Sequence, residues 1–241
     1  MSRVDAFLPL LVAVLAVSFA LSPLFSSGFN GFTADQFPLP QVDPPVQPAG
    51  YAFSIWGVIY LWLIAGALYG LRRAADHPHW AAMRPALAVS LGVGTFWIAA
   101  ANASPLLATA MILVMAASAI RAMLRAGTGT AWLLVRPVAL YAGWLTAASG
   151  VATGVVLGGY GILSAQSAAI MCLVTVLIVA LAVQARRPGE WAYPTAVIWA
   201  LIGVIAANAE GPNLPVILLS CLGIVLLGAR ALLTLMKEPK R

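Results

Sequence analysis

The sequence contains few charged residues. Only 8% of its 241 residues are Asp, Glu, Lys or Arg, whereas 62% are hydrophobic. An ordinary soluble domain is about 25% charged, so this chain could not cover a water-facing surface. The shortage of charge excludes a soluble globular protein, and the hydrophobic content excludes an intrinsically disordered one. The remaining class is all-α: a polytopic transmembrane helical bundle.

Cysteines and ionisable groups within apolar stretches are also scarce. The two cysteines, Cys172 and Cys221, lie inside apolar runs, so neither a disulfide framework nor a C-x-x-C metal site is predicted. No Asp, Glu, Lys, Arg or His stands near the middle of an apolar run. Such residues in a membrane mark ion pathways and acid–base groups. Their absence disfavours an ion-coupled transporter, an ion channel and an enzyme, and we predict no catalytic and no metal-binding residues.

Long apolar runs are what the sequence does contain. A bilayer core about 30 Å thick needs about 20 apolar residues in each helix. Eight runs approach this length, and the seventh is the shortest. The first run could instead be a signal peptide, but it is long for that role and lacks a clear cleavage site. The predicted helices are 6–25, 51–71, 85–103, 105–124, 135–157, 165–185, 192–208 and 214–236.

The basic residues support this count. All 13 Lys and Arg residues lie at or beside the chain termini and the connections between runs 2 and 3, 4 and 5, and 6 and 7. The opposite connections carry only Asp35, Asp43 and Glu210. The positive-inside rule places the basic end in the cytoplasm, so both termini are predicted to be cytoplasmic. We expect a multi-pass protein of a bacterial-type inner membrane. The net charge of +6 therefore indicates contact with membrane lipids and no nucleic-acid partner.

The connection 26–50 is the longest segment outside the apolar runs. Five prolines between Pro38 and Pro48 exclude a regular helix there. Phe29, Phe32 and Phe37 give the segment an apolar surface. It could be a plain linker, but we favour a cap that packs on the helix ends, because aromatic side chains beside a bilayer find a surface to bury against.

Aromatic residues are concentrated at the start of the second predicted helix. Trp56 and Tyr60 lie deeper in the second run than an interfacial belt requires. A buried Trp or Tyr needs a partner for its N–H or O–H, either a helix carbonyl or a ligand. Residue type alone favours packing. Asn102, at the end of the third run, caps a turn or bonds a neighbouring helix more readily than it contacts a ligand.

Small residues mark helix contacts. Gly150, Gly154 and Gly158 form two overlapping G-x-x-x-G steps in the fifth run. This spacing lets helices approach closely in lipid, either within one chain or between copies. The face is therefore a candidate for a homodimer or for a partner in a membrane complex. A parallel duplication of helices 1–4 as helices 5–8 is a further interpretation, since Ala101-Asn102-Ala103 and Ala207-Asn208-Ala209 stand at corresponding positions.

Three segments resemble the translocator protein family, also called tryptophan-rich sensory proteins (TspO/MBR). The first runs from Pro44 to Tyr60, with two adjacent prolines, Phe53, Trp56 and Tyr60. The second joins Trp97 to Asn102-Ala103-Ser104-Pro105-Leu106, and the third is the Pro137 to Ala148 stretch that contains Tyr141 and Trp144. The resemblance covers about residues 5–157. It implies a five-helix bundle over 1–157 with outer loop 26–50, followed by three additional transmembrane helices in 158–241.

The resemblance also implies a function. The family binds porphyrins, haem-pathway tetrapyrroles, sterols and other flat lipophilic ligands in a pocket below the first outer loop. Carried over by position, the ligand-binding residues are Tyr51, Phe53, Trp56, Tyr60, Trp97, Asn102, Tyr141 and Trp144. No cofactor is required, and a porphyrin, a haem-like molecule or another lipophilic small molecule is the expected ligand. Aromatic walls in an apolar cavity suit such molecules.

Three functions remain open at this level. The first is a receptor, carrier or sensor for a lipophilic ligand. The second is a structural or assembly subunit of a larger membrane complex, including complexes that contain pigment. The glycine face and the three additional helices would serve this role. The third is a membrane enzyme that acts on a lipophilic substrate, which the lack of a catalytic constellation disfavours.

Overall fold

Eight long helices form the part of the molecule that the structure describes. The structure, a computed structural model, describes residues 3–26, 29–127, 131–211 and 213–237. These ranges contain no strand, and a short helix at Pro78–Ala81 precedes the third long helix. The prediction of an all-α membrane bundle is confirmed. The long helices are α1 (Arg3–Leu21), α2 (Ile55–Arg73), α3 (Arg84–Ala103), α4 (Pro105–Arg125), α5 (Val135–Gly159), α6 (Ala165–Arg186), α7 (Ala192–Asn208) and α8 (Leu214–Lys237).

The helices match the apolar runs closely. Seven of the described helical segments are long and apolar enough to cross a membrane, and α7, with 17 residues, is shorter. The second run differs at its start, because Gly50–Ser54 forms a 3₁₀ turn and α2 begins at Ile55. Side-chain caps fix two other starts: the Leu107 N–H donates to Ser104 Oγ before α4, and the Ser167 N–H donates to Ser164 Oγ before α6.

Helix α5 lies at the centre of the bundle. It packs against α4, α6 and α7 and touches α2, and most of its residues are buried. Gly143 permits the close approach of α7, because an added Cβ would collide with the Tyr193 carbonyl and lie 3.0 Å from the Ala196 Cβ. The Thr146 and Tyr193 hydroxyls are hydrogen-bonded across the same interface at 3.0 Å. The three C-terminal helices therefore pack onto the first five through α5.

The glycine face of α5 contacts other segments of the same chain. An added Cβ would meet Val176 of α6 at Gly150, Val46 of the outer segment at Gly154, and Gln41 at Gly158. The G-x-x-x-G spacing thus serves close approach within the monomer. A role in dimerisation or in a complex stays a prediction.

The two halves share part of their packing. Helix α1 contacts α2 and α3, and α3 contacts α4; in the second half α5 contacts α6 and α7, and α7 contacts α8. In the second half α6 also packs against α8, and within the described residues α2 and α4 have no comparable contact. The parallel duplication suggested by the sequence stays a prediction.

The buried Arg84 and the partly buried Arg187 donate to carbonyls at helix ends on the basic side. Arg84 donates to the carbonyls of Gly70, Ala74 and Ala75 at the end of α2. Arg187 donates to the carbonyls of Met123, Ala126 and Gly127 at the end of α4, at 2.5, 2.6 and 3.0 Å. A cation here pairs with the partial negative charge of a helix C-terminus.

The neighbouring acid Glu190 lies in the connection between α6 and α7. Burial raises the pKa of the Glu190 carboxyl, while the Ala192 N–H, Arg136 and Arg187 act in the opposite direction. The Ala192 N–H donates to Glu190 Oε1 at 3.0 Å, so this carboxyl caps the first turn of α7.

We expect Arg187→Gln to lower the free energy of unfolding by about 2 kcal/mol, since it removes a charged donor to three carbonyls. Unfolding of the protein in mixed micelles measures this loss. Arg186→Gln is the matched control, because Arg186 is adjacent and exposed. Equal stability of the two variants would contradict the capping role.

The outer segment packs as a cap. The Leu39 N–H donates to the Gly159 carbonyl of α5 and the Ala49 N–H to the Gly203 carbonyl of α7, both at 2.9 Å. Gln36 Nε2 donates to the Ala101 carbonyl of α3 at 2.8 Å. Phe32 and Phe37 are buried. We refer to residues 29–49 as the cap.

Candidate ligand-binding site

A cavity lies between the cap, the outer halves of α2, α3 and α4, and the middle parts of α5 and α7. It encloses about 510 Å³ of space between atoms, including a part that is open to the outside. The space is narrow, with room for about two water molecules. A flat ligand therefore needs the walls to separate before it can enter. The walls are formed by Phe29, Gly31, Phe32, Gln47, Pro48, Phe53, Trp56, Trp97, Ile112, Trp144, Ala147, Ala148, Val151, Ala152 and Ala200.

Four of the residues predicted from the sequence line this cavity. Phe53 packs edge-on against Trp144, with ring centroids 5.8 Å apart, and Trp56 does so at 6.1 Å. Trp97 packs edge-on against Phe29 of the cap at 4.8 Å. The structure thus brings Phe53, Trp56, Trp97 and Trp144, from α2, α3, α5 and the turn before α2, around one space.

The other four predicted residues lie outside the lining. Tyr51 is half-exposed and packs edge-on against Trp199 of α7 at 5.8 Å. Tyr60 stacks on Trp56 at 5.2 Å. The fully buried Tyr141 hydroxyl accepts a hydrogen bond from Ser90 at 3.0 Å. Asn102 is exposed at the end of α3, and its backbone carbonyl lies 3.4 Å from Gln36 Nε2 of the cap.

Backbone carbonyls satisfy several of the indole N–H groups. Trp97 Nε1 donates to the Ala108 carbonyl at 2.9 Å, and Trp199 Nε1 donates to the Ala52 carbonyl at 2.8 Å. Trp62 Nε1 donates to the Trp132 carbonyl at the basic end. These tryptophans therefore have structural roles that do not require a ligand.

Two polar atoms of residues in the cavity wall differ from these indole N–H groups, because they have no hydrogen-bond partner among the described residues. Trp144 Nε1 is a buried donor and Gln47 Oε1 a buried acceptor, and neither has a hydrogen-bond partner within the described residues. Both side chains line the cavity. The lining contains no Asp, Glu, Lys, Arg or His. The site is thus an apolar, aromatic chamber whose described lining carries no charged side chain and includes a buried donor and a buried acceptor without partners.

Sequence reasoning missed several of the lining residues. Phe29 and Phe32 were assigned only to the cap surface. Gln47 and Ala200 carry no local signal, because they reach the cavity only when the cap packs on α7. Within the described ranges, no three His, Cys, Asp or Glu residues are grouped as a metal site would require.

A second, wider groove runs between α4 and α6 with α5 as its floor. It encloses about 910 Å³, and Leu113, Met171 and Val179 on its rim are substantially exposed. These residues lie near the middle of their helices. The groove therefore opens towards the hydrocarbon of the bilayer, in contrast to the chamber below the cap.

Comparison with curated proteins and with solved structures finds no match. A protein-family model described as "TSPO-like protein" matches residues 8–233. The match extends beyond residues 5–157 and takes in α6, α7 and most of α8. It covers most of the chain and includes the three motif segments. This chain is an integral, multi-pass membrane protein that belongs to the TSPO-like family.

Proposed function

We propose that the protein is a membrane receptor, carrier or sensor that binds a tetrapyrrole-like or other flat lipophilic ligand below the cap. The observation that carries this proposal is the uncharged chamber walled by Phe53, Trp56, Trp97 and Trp144. Aromatic faces and edges bind flat apolar molecules through large contact areas. The free donor and acceptor in the wall suit a ligand better than they suit a sealed core.

Binding without catalysis is part of the proposal. The chamber wall offers no acid, base or nucleophile with an activating partner. No resident cofactor is required, and a porphyrin or haem-like molecule enters as ligand. The purified protein should bind protoporphyrin in the dark without converting it. Formation of a product under these conditions would contradict binding without catalysis.

Titration with protoporphyrin tests the proposal directly. In lipid nanodiscs we expect saturable quenching of tryptophan fluorescence at micromolar ligand. Trp56→Leu removes a wall of the chamber and should raise the Kd at least about tenfold. Trp132→Leu is the control, because Trp132 is exposed near the basic end. Absence of saturable quenching, or an equal effect of the two substitutions, would refute the proposed site.

The alternative function is a structural or assembly subunit of a membrane complex. The wide groove between α4 and α6, with Gly150 on its floor, is the feature that favours it. A homodimer partner or another membrane protein would contact this face. Co-purification with a fixed partner after mild solubilisation would support this role, and a monomer that responds to protoporphyrin would oppose it.

We further propose that the basic end faces the cytoplasm of a bacterial-type inner membrane. In a Cys221→Ser background, Asp35→Cys in the cap should react with a membrane-impermeant maleimide in intact cells. Asp76→Cys at the basic end should react only after permeabilisation. Both positions are exposed, so accessibility in the folded chain is matched. The reverse labelling pattern would contradict the orientation.

A further inference from the structure

The unpartnered polar atoms of the chamber specify its ligand more narrowly than its shape does. Trp144 and Gln47 line the same apolar space, and Trp144 Nε1 and Gln47 Oε1 are both buried without a partner among the described residues. A buried donor or acceptor without a partner costs free energy, and native structures rarely retain one without a reason. A packed core in this position would be better built with Phe and Leu.

The backbone is arranged to admit the Gln47 amide. Gly31 has φ +116, in the region that favours glycine, and a Cβ there would lie 2.8 Å from Gln47 Nε2. The Gln47 N–H donates to the Pro44 carbonyl at 2.8 Å, so a turn holds the residue. The side chain thus lies over Gly31 at the boundary between the chamber and an outer polar depression that also contains Asp43 and Asn208.

Bound water does not remove the need for a ligand that forms hydrogen bonds in the chamber. The chamber has room for about two waters, which could bond Trp144 Nε1 and Gln47 Oε1. A ligand that displaces such waters loses affinity unless it reproduces their hydrogen bonds. The ligand must therefore present an acceptor to the indole N–H and a donor to the amide oxygen.

The chamber also restricts charge. Its wall contains no ionisable side chain, and a charge buried without a partner is strongly disfavoured. The part of the ligand inside the chamber must be neutral.

From these observations, and resting on the proposed function, we infer that the ligand class is a flat lipophilic molecule whose buried part is uncharged and carries both a hydrogen-bond acceptor, received by Trp144, and a donor, received by Gln47. Lactams, pyrrole-carbonyl systems and protonated carboxylic acids have this chemistry. Charged ligands and pure hydrocarbons do not.

Three flat probes of similar size test the inference: phenanthridin-6(5H)-one with N–H and C=O, its N-methyl derivative with C=O only, and phenanthrene with neither. Equilibrium dialysis against nanodiscs, corrected with empty nanodiscs, gives each Kd. For the unmodified chain we expect about a fivefold to tenfold loss of affinity at each step of the series.

Substitutions assign each step to a residue. Gln47→Leu should abolish the preference for the N–H probe over the N-methyl probe. It should leave the preference for the N-methyl probe over phenanthrene unchanged. Trp144→Phe keeps the ring but removes the donor, so it should abolish the preference for the N-methyl probe over phenanthrene. Gln41→Leu is the control, because Gln41 belongs to the cap, does not line the chamber and bonds the Leu39 carbonyl. Thermal unfolding of each variant establishes that it is folded.

The outcomes separate the two proposals. The donor–acceptor inference is overturned if the three probes bind equally, or if the preferences among them survive both substitutions. Binding below the cap stands in either case. If neither protoporphyrin nor any of the three probes binds saturably, the proposed function fails and the inference fails with it.

Discussion

A disulfide between Val46→Cys and Gly154→Cys is expected to reduce protoporphyrin binding at least about tenfold. The chamber is too narrow for a flat ring system, so a wall must move before the ligand enters. The cap is the wall without regular helical structure along most of its length. A covalent link between the cap and α5 would prevent this movement and leave the aromatic wall unchanged.

The geometry suits this cross-link. A Cβ added at Gly154 would lie 3.4 Å from the Val46 Cβ, close to the separation of about 3.5–4.5 Å that a disulfide requires. The exposed Cys221 should be replaced by Ser, whereas the buried Cys172 can remain. Reduction of the same variant is the internal control and should restore binding. Unchanged binding by the oxidised protein would show that the ligand enters between helices.

The largest expected loss of stability comes from Gly143→Ala. The added methyl group would collide with the Tyr193 carbonyl, which is backbone and cannot rotate away. Helices α5 and α7 would have to separate, at a cost of about 3 kcal/mol. Unfolding in mixed micelles measures this loss.

Gly57→Ala is the matched control for this substitution. Gly57 lies within α2, and an added Cβ has no neighbour within 4 Å. We expect no loss of stability, since alanine favours the helix. Separation of α5 from α7 should also weaken protoporphyrin binding by Gly143→Ala, because Ala200 and the cap contacts lie on α7. Equal stability of the two variants would show that the α5–α7 interface adapts easily.

The fold could be predicted from the sequence because membrane burial leaves a strong one-dimensional signal. A helix must be apolar over the thickness of the bilayer, and the connections must alternate in charge. Both patterns can be read without knowing which helices touch. The seventh run is the shortest in the sequence, and α7 is the shortest of the eight long helices in the described residues.

The site could be predicted only in part. Motif spacing identified helices that carry aromatic residues, but not the rotation of each helix. Tyr141 and Trp144 lie within one turn of α5, yet Tyr141 packs against Phe19 and Ser90 while Trp144 faces the chamber. Gln47 and Ala200 are far apart in the chain, and only the packing of the cap on α7 brings them together.

The brevity of α7 has a consequence for the surrounding bilayer. Seventeen residues rise about 25 Å, some 5 Å less than an average hydrocarbon layer. Two hydrogen bonds tie the preceding outer segment to α7: Asn208 at the end of α7 donates to the Pro45 carbonyl of the cap, and Trp199 at its middle donates to the Ala52 carbonyl of the 3₁₀ turn. We expect the cap to lie below the headgroup level at this point, because it is bonded to the last residue of the short helix α7. A mismatch between the length of α7 and the bilayer thickness would therefore act on the cap directly. A thicker bilayer should bring acyl chains against the cap at the outer end of α7, and a thinner bilayer should remove this contact.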